Sequence, residues 1–392
     1  MIRLRRMNSL RHSLKGKRVL VRVDFNVPLN AKNVVTDDTR IRETLPTIEY
    51  LQKSEAILVL MTHLGRPDGK KTKKFRLAPV GEQLARLLHR PVVTLPDSVG
   101  PRVQKIISRA RRGEIFLLEN LRFSPFEENN DVSFAKELAC GKDLYVNEAF
   151  SNCHRRHASM DAITKFLPSF AGLLLQKEIA VLEKVREHPG TPSVAIVGGA
   201  KIESKVPLIK RLLLRYDTIL LGGGVANTVL LSRHHEVGRS MIQSEFLKHI
   251  RAWKENSHVL TPVDAVVSTD IKRPKKNYIV DIVDVDKEMY ILDIGPQTIR
   301  HYESIIEKAK TIVWSGPVGM YEVPFFAAGT KGIVKAINNS RAFSVVGGGD
   351  TIAAIDILGS RSKFSHVSTG GSAMLQFLAG EELPALKPLI IN

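Results

Sequence analysis

The feature that most constrains this chain is a recurring pattern. Short unbroken apolar runs end in glycine or polar loops, and amphipathic helical segments follow them. A strand that is apolar on every residue must be buried on both faces, which is the condition of a parallel sheet covered by helices. The runs predict strands at residues 18–24, 56–61, 92–95, 114–118 and 144–147, with helices over 40–52 and 80–88 between them. A charged helical stretch over 173–188 follows, carrying Lys177, Glu178, Glu183 and Lys184, and leads to Pro189-Gly190 and Pro192. The alternation then restarts, with strands predicted at 193–197, 218–221, 311–314 and 343–346. With 392 residues the chain is long enough for two cores. The expectation is α/β architecture: two doubly wound domains with parallel sheets, joined by a helix. The expected divisions are 1–172, 173–190 for the helix, 191–380, and a terminal segment 381–392 that packs back on the body.

Composition narrows the class. Apolar residues make up 43% and charged residues 25%, the balance of a globular protein, and no run approaches the roughly 18 apolar residues of a bilayer span. Cys140 and Cys153 have neither zinc-site nor redox spacing, which fits a reducing cytoplasm. Cys153 reads as a spectator thiol. The net charge of +18 calls for anionic partners, whether nucleic acid, a membrane surface or phosphorylated metabolites. The basic stretch from Met1 to Met7 lacks the apolar segment of a secretory signal. It reads as a short disordered or artefactual extension, with Met7 as an alternative start.

In doubly wound sheets ligands bind beyond the carboxyl ends of the strands. In the first half those ends carry Arg22-Val23-Asp24-Phe25-Asn26, Thr62-His63-Leu64-Gly65-Arg66, Glu119-Asn120-Leu121-Arg122 and a segment from Asn147 through Arg155 to His157, while Arg40 opens the first helix. Any one of these arginines read alone is a solvated or ion-paired surface residue. Recurring at successive strand ends, they would repel one another without an anion between them, and guanidinium forks suit phosphate and carboxylate. Arg22, Arg40, His63, Arg66, Arg122 and Arg155 therefore mark a site for a small, highly charged anion. Asp24 and Asn26 are placed to recognise hydroxyls and steer the arginines.

In the second half the strand-to-helix junctions are glycine turns: Gly198-Gly199-Ala200-Lys201, Gly222-Gly223-Gly224, Gly316-Pro317-Val318-Gly319, Gly347-Gly348-Gly349-Asp350-Thr351 and Thr369-Gly370-Gly371-Ser372. Glycine admits a phosphate close to backbone amides, and a helix amino terminus adds positive potential. Neither a G-x-x-x-x-G-K-[ST] loop nor a clean G-x-G-x-x-G follows a strand, so the signal lies in the set of turns. Lys201 and Lys205, four apart, are expected to share a face at the start of one helix. Asp350 could hold magnesium on nucleotide phosphates, or cap the following helix. Glu322 could take a ribose hydroxyl, or be a helix-start acid.

Together these segments resemble the phosphoglycerate kinase family from about Leu14 to the carboxyl terminus. Arg-Val-Asp-Phe-Asn-Val-Pro, His-Leu-Gly-Arg-Pro, Glu-Asn-Leu-Arg-Phe, Gly-Gly-Ala-Lys, Asp293-Ile294-Gly295-Pro296, Gly-Gly-Gly-Asp-Thr and Val-Ser-Thr-Gly-Gly follow the family's order and spacing. The resemblance implies two Rossmann-like domains, the first binding phosphoglycerate and the second binding nucleotide. It implies reversible phosphoryl transfer from 1,3-bisphosphoglycerate to ADP, giving 3-phosphoglycerate and ATP in glycolysis, with Mg2+ as the metal. It places Asp24, Phe25, Asn26, Arg40, His63, Leu64, Gly65, Arg66, Arg122 and Arg155 at the triose. Lys201, Lys205, Glu322, Gly348, Gly349, Asp350 and Thr351 fall at the nucleotide, with Arg40 and Lys201 meeting the transferring group. A cytoplasmic monomer with no specific nucleic-acid partner and no membrane attachment is expected. The sequence departs from the family pattern at Glu148, at Ser151-Asn152-Cys153, at Arg156 and at Ser204, Ser315 and Ser372.

Both acceptors in such a reaction are already ionised at neutral pH, so no general base is needed, and alignment and charge neutralisation carry the chemistry. Two rivals remain at this point. A nucleic-acid-binding protein would show basic stripes interleaved with aromatics, yet aromatics are 6% and scattered. Arg109-Ala110-Arg111-Arg112 and Lys70-Lys71-Thr72-Lys73-Lys74 nevertheless put charge away from the strand ends. An α/β scaffold that has lost kinase activity is the second rival, and the retained cation set argues against it.

Overall fold

The computed structural model describes residues 2–250, 253, 256–271, 274 and 276–391. The chain divides into two compact lobes, Met1–Ala180 with Glu382–Asn392 and Val181–Glu381.

The first lobe is built on β1 (Arg18–Arg22), β2 (Ile57–Met61), β3 (Val93–Thr94), β4 (Ile115–Leu117), β5 (Leu144–Asn147) and β6 (Ser169–Ala171). All pair in parallel, in the order β3-β4-β2-β1-β5-β6. Adjacent residues of one strand enter different cores. Val19 and Val21 pack with Leu58, Leu60, Ile41 and Val80, whereas Leu20 packs with Val59, Met61, Ile107 and Phe134. This double burial is why the runs lack polar alternation. Helices Thr39–Lys53 and Ala78–Leu88 cover the first face, and Pro101–Ser108 and Val132–Ala139 the second.

The second lobe holds β7 (Ser193–Val197), β8 (Thr218–Leu221), β9 (Val259–Leu260), β10 (Asp264–Ser268), β11 (Tyr278–Asp281), β12 (Tyr290–Ile294), β13 (Thr311–Ser315), β14 (Phe343–Val346) and β15 (His366–Val367). Its parallel sheet runs β15-β14-β13-β7-β8-β9. The winding reverses between β7 and β13, and in such sheets that reversal opens the ligand crevice. The core on one face joins Val194, Ile196, Ile312 and Trp314 to Tyr302, Ile306, Ile333 and Ile337.

Three features depart from the sequence reading. A three-stranded antiparallel sheet, β11-β10-β12, is inserted between β9 and β13. The strands β6, β9 and β15 are two or three residues long and at sheet edges, too short to show as a run. The amino-terminal stretch is not a disordered extension. Leu4 bridges Ile390, Arg6 bridges Ala171, and Met7 is wholly buried, so residues 3–6 lie along β6 and the terminal segment; Met1 itself lies outside the described residues. Ile391 donates its N–H to the Arg3 carbonyl at 2.8 Å, which fixes the chain's last described residue on the first lobe.

Candidate active site

The carboxyl ends of β1, β2, β4 and β5 in the first lobe are stitched together by polar side chains. The Phe25 N–H donates to Thr62 Oγ1 at 2.9 Å and the Gly65 N–H to Asn26 Oδ1 at 2.8 Å. Asn120 donates to the Leu64 and Phe75 carbonyls (2.8 and 2.9 Å) and accepts from the Leu64 and Arg122 N–H groups (3.2 and 3.1 Å). Arg122 Nη1 donates to the Gly65 carbonyl at 2.9 Å. The loops are thereby held in one arrangement before any ligand arrives.

On this frame sits a cationic basin. Asp24 accepts from Arg40 Nη1 and from the Ser151 hydroxyl. Burial pushes its carboxyl up, and Arg40, with Ser151 and Arg22, more than offsets this and holds it below the usual range. His63 is buried and held well below its ordinary value, first by burial and then by Arg22, with Arg122 and Arg155 adding to it against Asp24. Burial and the same arginines push His157 down to about 3. Burial and Arg155 also lower His154. Three histidines are thus kept neutral first by burial and then by neighbouring arginines, which marks a dry and cationic site. Arg122, whose side chain is 3% exposed, has a buried Nη2 that meets no acceptor. A buried donor without a partner costs about 1–3 kcal/mol, and a bound anion would relieve it.

Arg22 does not belong to the open basin. It is fully buried, donating to Ser159 Oγ at 2.8 Å and to the Val23 carbonyl, with Nη2 3.3 Å from His63 Nδ1. Ser159 in turn donates to Glu127 Oε1 at 2.5 Å. Burial raises the Glu127 carboxyl, and Arg22 opposes that. Arg22 is therefore the internal partner of Glu127, reached through a hydroxyl. Phe25 and Leu64 are core side chains, so what they offer a ligand is backbone. Arg66 is exposed and Arg155 half-buried, the latter donating to His154 Nε2 at 3.2 Å. Sequence reasoning missed Ser151, Glu127 and Ser159. Ser151 stood out as a departure from the family pattern, whereas nothing local marks Glu127 or Ser159. Cys153 is buried, its thiol pushed up to about 12 by burial, and is inert as a nucleophile.

In the second lobe a cleft of about 310 Å³ opens where the winding reverses. Its walls are Gly198–Lys201, Ser204, Lys205, Ser315, Gly316, Gly348–Thr351, Gly371, Ser372 and Leu375. The loops after β7 and β13 lie backbone to backbone: the Gly198 N–H donates to the Ser315 carbonyl (3.0 Å) and the Gly199 N–H to the Pro317 carbonyl (2.8 Å). A Cβ on Gly198 would run into the Pro317 carbonyl, and one on Gly316 into Gly198, so both must be glycine. Gly348, at φ 104°, caps helix Gly349–Ile357, and Thr351 Oγ1 accepts from the Gly316 N–H at 2.7 Å. Asp350 stands in that helix's first turn, exposed, and is not its cap.

Lys201 and Lys205 do not share a helical face. The helix is Val206–Leu212, with Lys205 in the turn just before it and Lys201 in the loop that precedes that turn. Pro207 explains this, because proline lacks the N–H that an earlier start would need and fits only the first helical turn. The two lysines consequently differ. Lys201 is exposed in the cleft wall, while Lys205 is buried and donates to Ser315 Oγ at 2.7 Å. Burial pushes the Lys205 ammonium down to about 8, with Asp350 opposing. The turn Gly222–Gly224 does not line the cleft, and Gly223 packs against Gly199 beneath it. Glu322 is exposed in a turn and is no helix-start acid. Asp293 is buried and accepts from the Gly329 N–H at 2.7 Å, capping helix Ala328–Asn339. Burial raises its carboxyl to about 7.

No group of three or more His, Cys, Asp or Glu side chains able to hold a metal occurs among the described residues. Asp350 is a single carboxylate beside phosphate-sized space, which fits Mg2+ shared with ligand phosphates and does not fit a metal held by protein alone.

Two doubly wound lobes, one presenting clustered guanidiniums and the other a glycine-lined cleft with lysines, define a bilobal kinase of small anionic metabolites. The sequence profile described as phosphoglycerate kinase matches residues 9–381. The phosphoglycerate kinase of Dictyoglomus turgidum is 47% identical over 382 residues, covering 96% of each chain. That of Moorella thermoacetica is 45% identical, covering 96% of this chain and 97% of its own. The structure of phosphoglycerate kinase from Coxiella burnetii matches 99% of both chains with a TM-score of 0.87 at 36% identity. That from Pyrococcus horikoshii covers 98% of both with a TM-score of 0.86 at 33%. The chain belongs to the phosphoglycerate kinase family. It is a phosphotransferase of glycolysis with a carboxyl group as acceptor. Among the described residues no helix is long and apolar enough to cross a membrane.

Proposed function

We propose that the basin of the first lobe binds 3-phosphoglycerate or 1,3-bisphosphoglycerate, and that the cleft of the second binds ADP or ATP. The observation that carries this is the contrast between the two sites. Arg40 and His63 flank Asp24 in one lobe, with Arg122 and Arg155 acting on His63, whereas closely approaching glycine loops leave room for phosphates beside Lys201 and Lys205 in the other. Arg122 supplies an unmatched donor to the triose phosphate or carboxylate, and Asp24 and Asn26 accept from its hydroxyl. Arg66 and the backbones of Phe25, Leu64 and Gly65 complete the set. In the cleft, Gly348 and Gly349 leave room for phosphate at a helix start, with the Thr351 hydroxyl behind them, Lys205 neutralises charge, and Glu322 takes the ribose. When bound, Mg2+ screens the nucleotide phosphates, with Asp350 as its protein partner.

In the forward direction the bond between the acyl oxygen and phosphorus breaks, and a new bond forms between phosphorus and a β-phosphate oxygen of ADP. The leaving carboxylate and the attacking oxygen are both ionised, so no proton moves. Arg40 and Lys201 neutralise the transferring group from opposite lobes. Reacting atoms must come to about 3–3.5 Å, so ligands held in separate lobes react only after hinge closure that excludes water. The protein acts as a cytoplasmic monomer, without specific nucleic-acid or membrane partners.

The test is Arg40→Ala in a coupled assay of ATP formation from 1,3-bisphosphoglycerate, ADP and magnesium. Turnover is expected to fall by about 10³-fold. Near-normal turnover would remove Arg40 from the reaction.

A further inference from the structure

Helix Leu173–Glu187 carries the chain out of the first lobe, and its amino terminus is not capped by its own sequence. Glu148 and Thr47, from two other elements, do so instead. Glu148, directly after β5, is 1% exposed. Its Oε1 accepts from the Leu174 N–H at 3.0 Å and its Oε2 from the Leu175 N–H at 3.3 Å. The Thr47 hydroxyl donates to Glu148 Oε1 and accepts from the Leu173 N–H at 2.9 Å. Three amides that a helix start leaves unmatched are thus closed by two side chains. Gly172 lies against the carboxylate, where any Cβ would collide, so the contact depends on glycine at that position.

Thr47 belongs to helix Thr39–Lys53, whose first turn bears Arg40. The two are seven residues apart, two turns along one face and about 10 Å in rise. Glu148 is also tied to the strand that leads to Asp24, because its N–H donates to the Arg22 carbonyl at 2.9 Å. Beyond Ala180 the same helix belongs to the second lobe, where its last turns are held by Tyr216 on the Val185 carbonyl (2.8 Å) and Arg211 on Glu187 (3.2 Å).

We propose that Glu148 and Thr47 are positioning residues for phosphoryl transfer: their shared cap fixes the direction in which the connecting helix leaves the helix that carries Arg40. Neither touches substrate. Each acts by holding Arg40's helix and the connecting helix as one piece, so that closure brings the lobes to a single register. Loss of the cap leaves both ligand sites formed and misaligns the reacting atoms, an error of about 1 Å being enough to lower turnover by about a hundredfold.

This rests on the reading that the two ligands occupy separate lobes. The test compares wild type, Glu148→Leu, Thr47→Val and Thr47→Ser at 25 °C, after circular dichroism shows each folded. Titration calorimetry with 3-phosphoglycerate and with ADP is expected to give affinities within twofold of wild type for all four. The kcat is expected to fall on the order of tenfold to a hundredfold in Glu148→Leu and Thr47→Val, and to stay near wild type in Thr47→Ser, which keeps the hydroxyl. Thr47→Val tests the idea by itself if Glu148→Leu does not fold. The proposal is overturned if kcat stays within twofold in the folded capless variants, if 3-phosphoglycerate affinity falls in parallel with kcat, or if Thr47→Ser is as impaired as Thr47→Val. A failure of the separate-lobe reading would show differently, as 3-phosphoglycerate and ADP competing for one site in the wild type.

Discussion

Replacing Lys205 with methionine is expected to stabilise the protein and disable the proposed nucleotide site together. The ammonium is buried, with Ser315 Oγ at 2.7 Å as its hydrogen-bond partner, and burial lowers it from the usual 10.5 to about 8. That difference corresponds to about 3 kcal/mol working against the charged form in the folded state. The unfolded chain holds the proton more tightly, so the penalty is complete at pH 7, and stability recovers as pH rises from about 8 to about 10.5. Methionine keeps the stem without the charge. Subtracting about 1 kcal/mol for the Ser315 hydroxyl bond leaves a gain of about 2 kcal/mol. In a lobe of this size that is a rise in Tm of about 4–8 °C. A charge-assisted bond to phosphate contributes about 1.5–3 kcal/mol, so ADP affinity should fall roughly 10- to 100-fold. Calorimetric melting at pH 7 and about 10, with ADP titration at pH 7, checks both. The stability gap between variant and wild type is expected to shrink at the higher pH. A variant that melts lower at pH 7 and binds ADP normally would refute the reasoning.

Three further outcomes follow from the geometry. Glu148 titrates at about 7, raised by burial, so the folded state holds its proton more tightly than the unfolded chain. The stability this gives is full below about pH 4 and is lost through pH 7, on the order of 3 kcal/mol; urea melts of Glu148→Gln at pH 5 and 8 should lack that part of the wild-type decline. Gly198→Ala drives a methyl into the Pro317 carbonyl, and titration should show ADP binding lost with 3-phosphoglycerate binding kept. Leu4→Asp puts a charge into a buried contact beside Ile390, and should cost about 2–3 kcal/mol of first-lobe stability in a denaturant melt.

What was legible in the sequence follows from burial. Strands buried on both faces write continuous apolar runs, so β5, β7, β8 and β14 match their predicted residues, and β1, β2 and β4 differ only at the ends. Edge pairings such as β9 and β15 leave two residues each and no run. The exposed strand β11 reads as surface. At the sites, arginine recurrence located the basin, but it could not separate Arg22, turned inward to the Glu127 pair, from Arg40, turned outward to Asp24. Residue type gives charge, and only packing gives direction. The spacing of Lys201 and Lys205 suggested one helical face because spacing carries no information about where a helix starts, while Pro207 does. Ser315 reads as a departure from the family pattern and turns out to accept from Lys205. The amino-terminal segment reads as polar and basic, yet Leu4 and Met7, alternating with arginines, are what anchor it.

Hydrogen exchange with each ligand in turn tests the separate-lobe account most directly. With 3-phosphoglycerate alone, amides around residues 23–26, 62–66, 120–123 and 150–155 are expected to slow. With MgADP alone, slowing is expected around 198–205, 315–318 and 347–351. Protection of the first set by MgADP alone, or of the second by 3-phosphoglycerate alone, would contradict it.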